Sequence, residues 1–333
     1  MFYRICWLLV VVWLAGALSG CVHSKQQARL MSYLQPDQLK RNLEVPPGAL
    51  YLINGWVVFQ GDFFDLENNQ PVDTIWREWY GNGFGVDAQG NIMTNAHVVS
   101  PGQTIGEVFA SLMPFEYANG AWTGYQFRSI DEIHLVYRVN SLDGQVYHSG
   151  YLVEVNWIFL ANGGNSAGWI EVKQMTLEAV GTSGVVKLVA FDEAADLAII
   201  NVPRTESSFV PFDEAALLAP TDTFYSFALR EQTLGRKLWP KLEIKWGLVQ
   251  SHCGWKKIDQ RPRMVASLKM YSKFGNSGSA VFSDNGLVAG VLVGKNIYRP
   301  ETFIIPAAYA QAFYRYSIDP GASKPVLDCS TCD

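Results

Sequence analysis

The chain has 333 residues, 49% of them hydrophobic and 17% charged, with a formal net charge of −5. That balance suits a globular protein with a sizeable core and excludes a disordered chain. The negative charge argues against a general nucleic-acid binder.

In chain order, the first element is an export signal. Arg4 supplies a short positive region, and residues 5–18 form an almost unbroken apolar run ending in Leu18-Ser19-Gly20-Cys21. Such a run is short for a membrane span, which needs ~20 apolar residues. Small residues ahead of a cysteine resemble the bacterial lipobox, in which the cysteine is lipidated and becomes the new N-terminus. An uncleaved anchor is the alternative. Val22, in place of Asp, is similar to the outer-membrane sorting pattern of Gram-negative lipoproteins. The resemblance implies a signal peptide over 1–20 and an acyl (palmitate) anchor on Cys21. It also implies a place in the bacterial cell envelope, at the outer membrane facing the periplasm. Residues 22–46 are polar and end near Pro46-Pro47-Gly48, so 21–48 reads as a lipidated tether.

Strand patterns follow. Residues 50–60, 133–140, 145–155, 185–191, 241–249 and 287–293 alternate apolar with polar side chains, and Asp143-Gly144 and Asn285-Gly286 give turn signals. This argues for an all-β barrel class. A helical pattern stands out at 307–316. From Arg236 to Arg263, eight Lys and Arg residues stand against Glu243 and Asp259, with Trp239, Trp246 and Trp255 among them. The preferred reading is a solvated barrel face with its tryptophans in the core; contact with anionic headgroups or an acidic partner is the alternative.

Three motifs carry chemistry. Thr94-Asn95-Ala96-His97-Val98-Val99 places a histidine in an apolar, strand-like run. In the segment from Phe191-Asp192 to Asp196-Leu197-Ala198, one carboxylate, Asp196, enters a buried strand. Gly275-Asn276-Ser277-Gly278-Ser279 puts a serine between glycines. A serine hydroxyl is a poor nucleophile unless an imidazole takes its proton and backbone N–H groups hold the oxyanion. The glycines allow a tight turn that aims the N–H groups of Gly275 and Ser277 at one point. The order His97, Asp196, Ser277 is that of chymotrypsin-type hydrolases.

The segment Gly81-Asn82-Gly83-Phe84 through Gly90 to Val99 resembles the "G-x-G-F … T-N-x-H-V-V" of HtrA-like trypsin-fold proteases. Asp192 to Ala198 is similar to that family's "D-x-x-x-D-L-A", and Phe303-Ile304-Ile305-Pro306 to its "F-A-I-P". The resemblance implies two packed six-stranded β-barrels over 49–316 with a C-terminal helix, then a tail over 317–333. His97 and Asp196 would lie in the first barrel and Ser277 in the second. Ser279 departs from the family's second glycine, although "G-N-S-G-S" occurs in the related glutamyl endopeptidases. Asp196 follows His97 by 99 positions, far more than the pattern needs. An insertion rich in aromatics (Phe115, Tyr117, Trp122, Tyr125, Trp157, Phe159, Trp169) is therefore expected within 101–182. Residues 133–155 of it read as a barrel hairpin; the rest is open as lid, partner surface or packing. The stretch after Pro306 is too short for a PDZ module.

By the family pattern the specificity pocket has Tyr271 at its floor with Ser272 beside it, and Val293, Gly294 and Lys295 as the facing wall. No Asp at the floor disfavours Lys or Arg substrates. A tyrosine there favours small apolar side chains, while Lys295 could accept an acidic one. The expected activity is a serine endopeptidase acting on protein or peptide substrates, attached to the membrane through its lipid and without metal or organic cofactor. A non-proteolytic trypsin-fold scaffold and an esterase-like acyl hydrolase are the alternatives. With Cys6 in the signal and Cys21 lipidated, Cys253, Cys329 and Cys332 remain. An odd set cannot all pair internally; a cross-link in the tail is preferred, locally or to Cys253.

Overall fold

The computed structural model describes residues 45–117, 120–160, 167–178, 184–204, 206–213, 223–234, 237–258, 261–319 and 321–325. The signal, Cys21, nearly all of the tether, Cys329 and Cys332 lie outside them.

Two long strands, β1 (Leu50–Asp65) and β2 (Gln70–Gly85), open the fold as a hairpin. Every second residue of β1 turns inward, so Tyr51, Ile53, Val57 and Phe59 join one core. That is the period-2 signal of a half-buried strand. Then come β3 (Asn91–Thr94), α1 (Ala96–Val99) and α2 (Pro101–Leu112), followed by the short strands β4 (Phe115–Glu116), β5 (Trp122–Thr123) and β6 (Tyr125–Phe127). The run β7 (Glu132–Ser141), β8 (Val146–Leu160), β9 (Ala167–Glu178), β10 (Lys187–Asp192) and β11 (Leu197–Asn201) completes the first half. Its sheet has the order β10-β11-β3-β2-β1-β7-β8-β9, with β6 added on β1. A bridge from His148 to Val185 curls one end of the sheet toward the other.

The second half is a closed barrel of six strands, β12-β13-β14-β17-β16-β15. Their ranges are β12 (Thr223–Leu234), β13 (Lys237–Ile258), β14 (Arg261–Lys269), β15 (Ala280–Phe282), β16 (Val288–Lys295) and β17 (Thr302–Pro306). The chain ends its described course in α3 (Ala307–Ile318). The two halves have separate cores, one around Phe59, Phe63 and Tyr137, the other around Phe224, Leu268 and Ile304. Each fully buried side chain of this size contributes ~1.5–3 kcal/mol.

The all-β, two-barrel class with a closing helix is therefore present, but the first half is larger than six strands. The insertion accounts for this. Residues 133–155 form the expected hairpin, β7–β8, around Asp143-Gly144, and β9 extends it. The span also contains α2, which the strand-dominated reading did not anticipate. Its buried Ile105, Val108, Phe109 and Leu112 fall at i, i+3, i+4 and i+7, a helical stripe packed on the first core.

Two other expectations change. His97 sits not in a strand but in α1, because the chain turns directly after β3. The basic run is not a uniform solvated face: Trp255 is 62% exposed while Arg263 is 1% exposed. Cys253 lies in β13.

Candidate active site

Asp196 fixes the histidine twice. Its Oδ1 accepts the backbone N–H of His97 at 2.9 Å, and its Oδ2 lies 2.8 Å from His97 Nδ1. With Nδ1–H donated to the carboxylate, Nε2 is left as the basic nitrogen. Asp196 is buried and has a positive φ of 60° immediately ahead of β11. An Asp adopts that conformation more readily than most residues, and Asn95 Nδ2 anchors it by donating to the Asp196 carbonyl at 2.9 Å.

The histidine turn is held from several sides. Trp79 of β2 donates its indole N–H to Val98 O at 2.8 Å, and Thr104 of α2 donates to His97 O at 2.9 Å. Tyr137 of β7 donates to Val99 O at 2.7 Å. Burial pushes the Tyr137 hydroxyl well above its ordinary range, so it stays a donor. The Ser100 hydroxyl reaches Glu193 at 2.7 Å. Except for Thr104, seven residues from His97, these partners come from segments distant in the chain and carry no signal in the sequence.

Ser277 stands on a loop shaped by its glycines. Gly275 has φ 85° and Gly278 φ 82°. A Cβ on Gly275 would lie 1.8 Å from the Tyr80 ring, and one on Gly278 would lie 2.0 Å from Asn82 O. No larger residue fits either place without moving its neighbour. Asn82, inside the Gly81–Phe84 motif but given no role by sequence, ties this loop to the first barrel. Its backbone N–H donates to Ser277 O at 2.7 Å, and its Nδ2 donates to Gly275 O at 2.7 Å and to Leu229 O at 3.2 Å. Its Oδ1 accepts from the Leu229 N–H. Among the described residues, neither the Gly275 nor the Ser277 N–H has an internal acceptor, which leaves both able to donate to a ligand. Ser279 is buried and does not line the cavity, and its N–H and C=O bond to Asn276 O and Leu292 N. The departure from a second glycine thus leaves the cavity unchanged.

His97 and Ser277 line one cavity of about 400 Å³, together with Gly275, Trp79, Tyr80, Thr104 and Val108. Four of the five expected specificity residues, Ser272, Val293, Gly294 and Lys295, line it as well. Tyr271 does not. It is 38% exposed and absent from the lining, so it cannot fill a floor there. Counting back from Ser277 reaches the right segment, just past β14, but there Tyr271 turns outward while Ser272 turns in. Ser272 is the buried neighbour, its hydroxyl 3.0 Å from Thr302 Oγ1. Val98, Ile258, Lys257, Lys273, Phe274, Leu292 and Ile297, which sequence reasoning gave no place in the pocket, complete the surface. Lys295 Nζ sits 4.1 Å from the Phe274 ring centroid. No carboxylate lines the cavity.

One charge was missed entirely. Arg263 Nη1 lies 2.7 Å from Asp196 Oδ2, with both side chains 1% exposed. In sequence it was one of eight basic residues in a run and carried no signal of its own.

Comparison with known proteins agrees with this geometry. No curated protein shows significant similarity to the chain. Residues 148–291 match a family model described as trypsin-like peptidase domain. The match begins after His97 and includes Asp196 and Ser277. With the closed second barrel, the curled first sheet and the terminal helix, it supports a trypsin-like two-barrel fold.

Proposed function

We propose that the protein is a serine endopeptidase with Ser277 as nucleophile, His97 as general base and Asp196 as the carboxylate that orients it. The observation that carries the reading is the doubly bonded His97–Asp196 pair opening on the same cavity as Ser277. Ser277 attacks the peptide carbonyl while His97 takes its proton and then returns one to the leaving amine. The N–H groups of Gly275 and Ser277 receive the oxyanion, each such donor contributing ~3 kcal/mol in the transition state.

The substrate side chain would meet Ser272, Val293 and Gly294, with Lys257 and Lys295 near. Three ammonium groups around the cavity, of Lys257, Lys273 and Lys295, and no carboxylate disfavour Arg or Lys and favour Asp or Glu. This replaces the preference for small apolar residues, whose steric basis was Tyr271. The envelope location belongs to the same proposal: lipid on Cys21 would hold the domain at a membrane surface, resting on the Leu18-Ser19-Gly20-Cys21 motif alone. Cys21→Ala should release the protein or block its maturation, and mass spectrometry finding residues 1–20 retained would overturn it.

A serine-reactive phosphonate and a peptide library test the chemistry together. Labelling that is lost in Ser277→Ala, with cleavage after acidic residues that falls in Lys295→Ala, is the expected result. Labelling without peptide cleavage would indicate an acyl hydrolase of another class. Absence of labelling would leave a binding protein on a trypsin-like frame. Dominant cleavage after Arg or Lys would overturn the pocket assignment, and enrichment of Ala, Val or Thr would restore the apolar one.

A further inference from the structure

We propose that Arg263 is a positioning residue of the site, one that holds Asp196 across the barrel boundary and makes His97 less basic; the inference rests on the His97–Asp196 assignment above. Arg263 lies on β14, paired with Lys256 of β13, whereas Asp196 lies immediately ahead of β11 in the other barrel. Oδ2 of Asp196 is shared: His97 Nδ1 approaches it at 2.8 Å and Arg263 Nη1 at 2.7 Å. A guanidinium keeps its charge at every accessible pH. The carboxylate beside the imidazole is therefore already neutralised as a pair.

The consequence follows from charge and distance. A histidine beside a lone buried carboxylate is strongly favoured as imidazolium. A cation equally close to the same oxygen opposes that, so protonating His97 adds a second positive charge to an environment of nearly zero net charge. Other charged groups near the site are Glu193 with Arg261 4.0 Å away, Asp192 beside Tyr309, and Lys257, Lys273 and Lys295 around the cavity. All are at least partly exposed, and water and salt screen them. Arg263 and Asp196 are each 1% exposed and act unscreened. Burial also gives the pair a structural side: removing one partner leaves the other charge uncompensated, which is strongly destabilising.

The test follows the His97 ring by proton NMR across pH in the full chain, its signal identified by loss in His97→Ala. This readout does not require hydrolysis, so it separates the inference from the proposed activity. In Arg263→Met and Arg263→Gln the His97 midpoint should rise by about one pH unit, a tenfold gain in proton affinity. Arg263→Lys, whose shorter stem leaves its ammonium farther from Oδ2, should show a smaller rise. Circular dichroism establishes which variants are folded. An unchanged or lowered midpoint in a folded neutral variant overturns the proposal and leaves Arg263 a purely structural residue. Should both neutral variants fail to fold, Arg263→Lys decides: a raised midpoint supports the coupling, and one identical to the native protein overturns it.

Discussion

The two barrels hold their shares of the site by different means. In the first, His97 is placed by side chains: Trp79, Thr104 and Tyr137 each bond a carbonyl of its turn, and Asp196 bonds it twice. In the second, Ser277 is placed by backbone: two positive-φ glycines, Gly278 N–H on Leu292 O, and Ser277 O under the Asn82 N–H. The difference matches what the proposed roles, base for His97 and nucleophile for Ser277, would require. A base needs one ring orientation, which several donors can fix together. A nucleophile loop must also aim its own amides, so its main chain has to be specified, and only a few residues can do that. Asn82 joins the two strategies, being a first-barrel side chain that bonds second-barrel backbone at Leu229 and Gly275.

If the barrels each carry half of one chemical unit, His97→Ala and Ser277→Ala should each lower kcat by about 10⁶-fold, and the double variant should be no worse. Steady-state kinetics on a cleavable peptide reads this directly. Losses that multiply in the double variant would mean that the two residues do not act as one unit. The next effect concerns backbone placement. Gly278→Ala combines a positive φ with a Cβ 2.0 Å from Asn82 O, so roughly 3–4 kcal/mol of stability should be lost along with activity. Chemical denaturation measures the first. Asn82→Ala should follow at about 2–3 kcal/mol, because it leaves the buried Leu229 N–H and C=O and the partly buried Gly275 C=O without this partner. Its kcat should fall with KM little changed. A stability loss with full activity would show that Asn82 joins the barrels without shaping the loop.

Much of this contrast was legible before folding, and unevenly. The proposed site residues His97, Asp196 and Ser277 sit in short motifs that drew attention to them, and strand alternation with turn residues announced β1, β7, β8 and β16. What stayed hidden depends on contacts distant in sequence. Arg263 looked like one more surface cation until β14 carried it onto Asp196. Tyr271 was misassigned because counting positions ignores which face of the chain a side chain leaves from. Residues 94–99 read as a strand since Val98 and Val99 favour extended chain, yet tertiary bonds to Trp79 and Tyr137 select a helical turn. The helix α2 had its apolar stripe in plain view, but so short an amphipathic run within a long insertion was outweighed by the surrounding strands.

The smallest predicted effect tests whether the nucleophile loop depends on charge at all. Glu243 of β13 accepts from Lys273 at 2.8 Å and pairs with Lys245 at 3.1 Å, and Lys273 immediately precedes Phe274 of the loop. Burial alone would raise the Glu243 carboxyl, but the bonds from Lys273 and Lys245 outweigh it and hold it below its ordinary range. A lowered folded value means that the stabilisation is complete above the unfolded value, about 4.3, and is lost as pH falls through the folded one. Both lysines are substantially solvated, so the contribution should stay below about 1 kcal/mol and shrink further in high salt. Thermal midpoints of native protein and Glu243→Gln, compared from pH 7 down to pH 3, should differ slightly at neutral pH and converge under acid. Activity at neutral pH should remain near native, since glycine geometry and Asn82 hold Ser277 without this ion pair. A gap that widens on acidification would contradict the sign. A large loss of activity would show that the second barrel, like the first, needs its side chains to place the site.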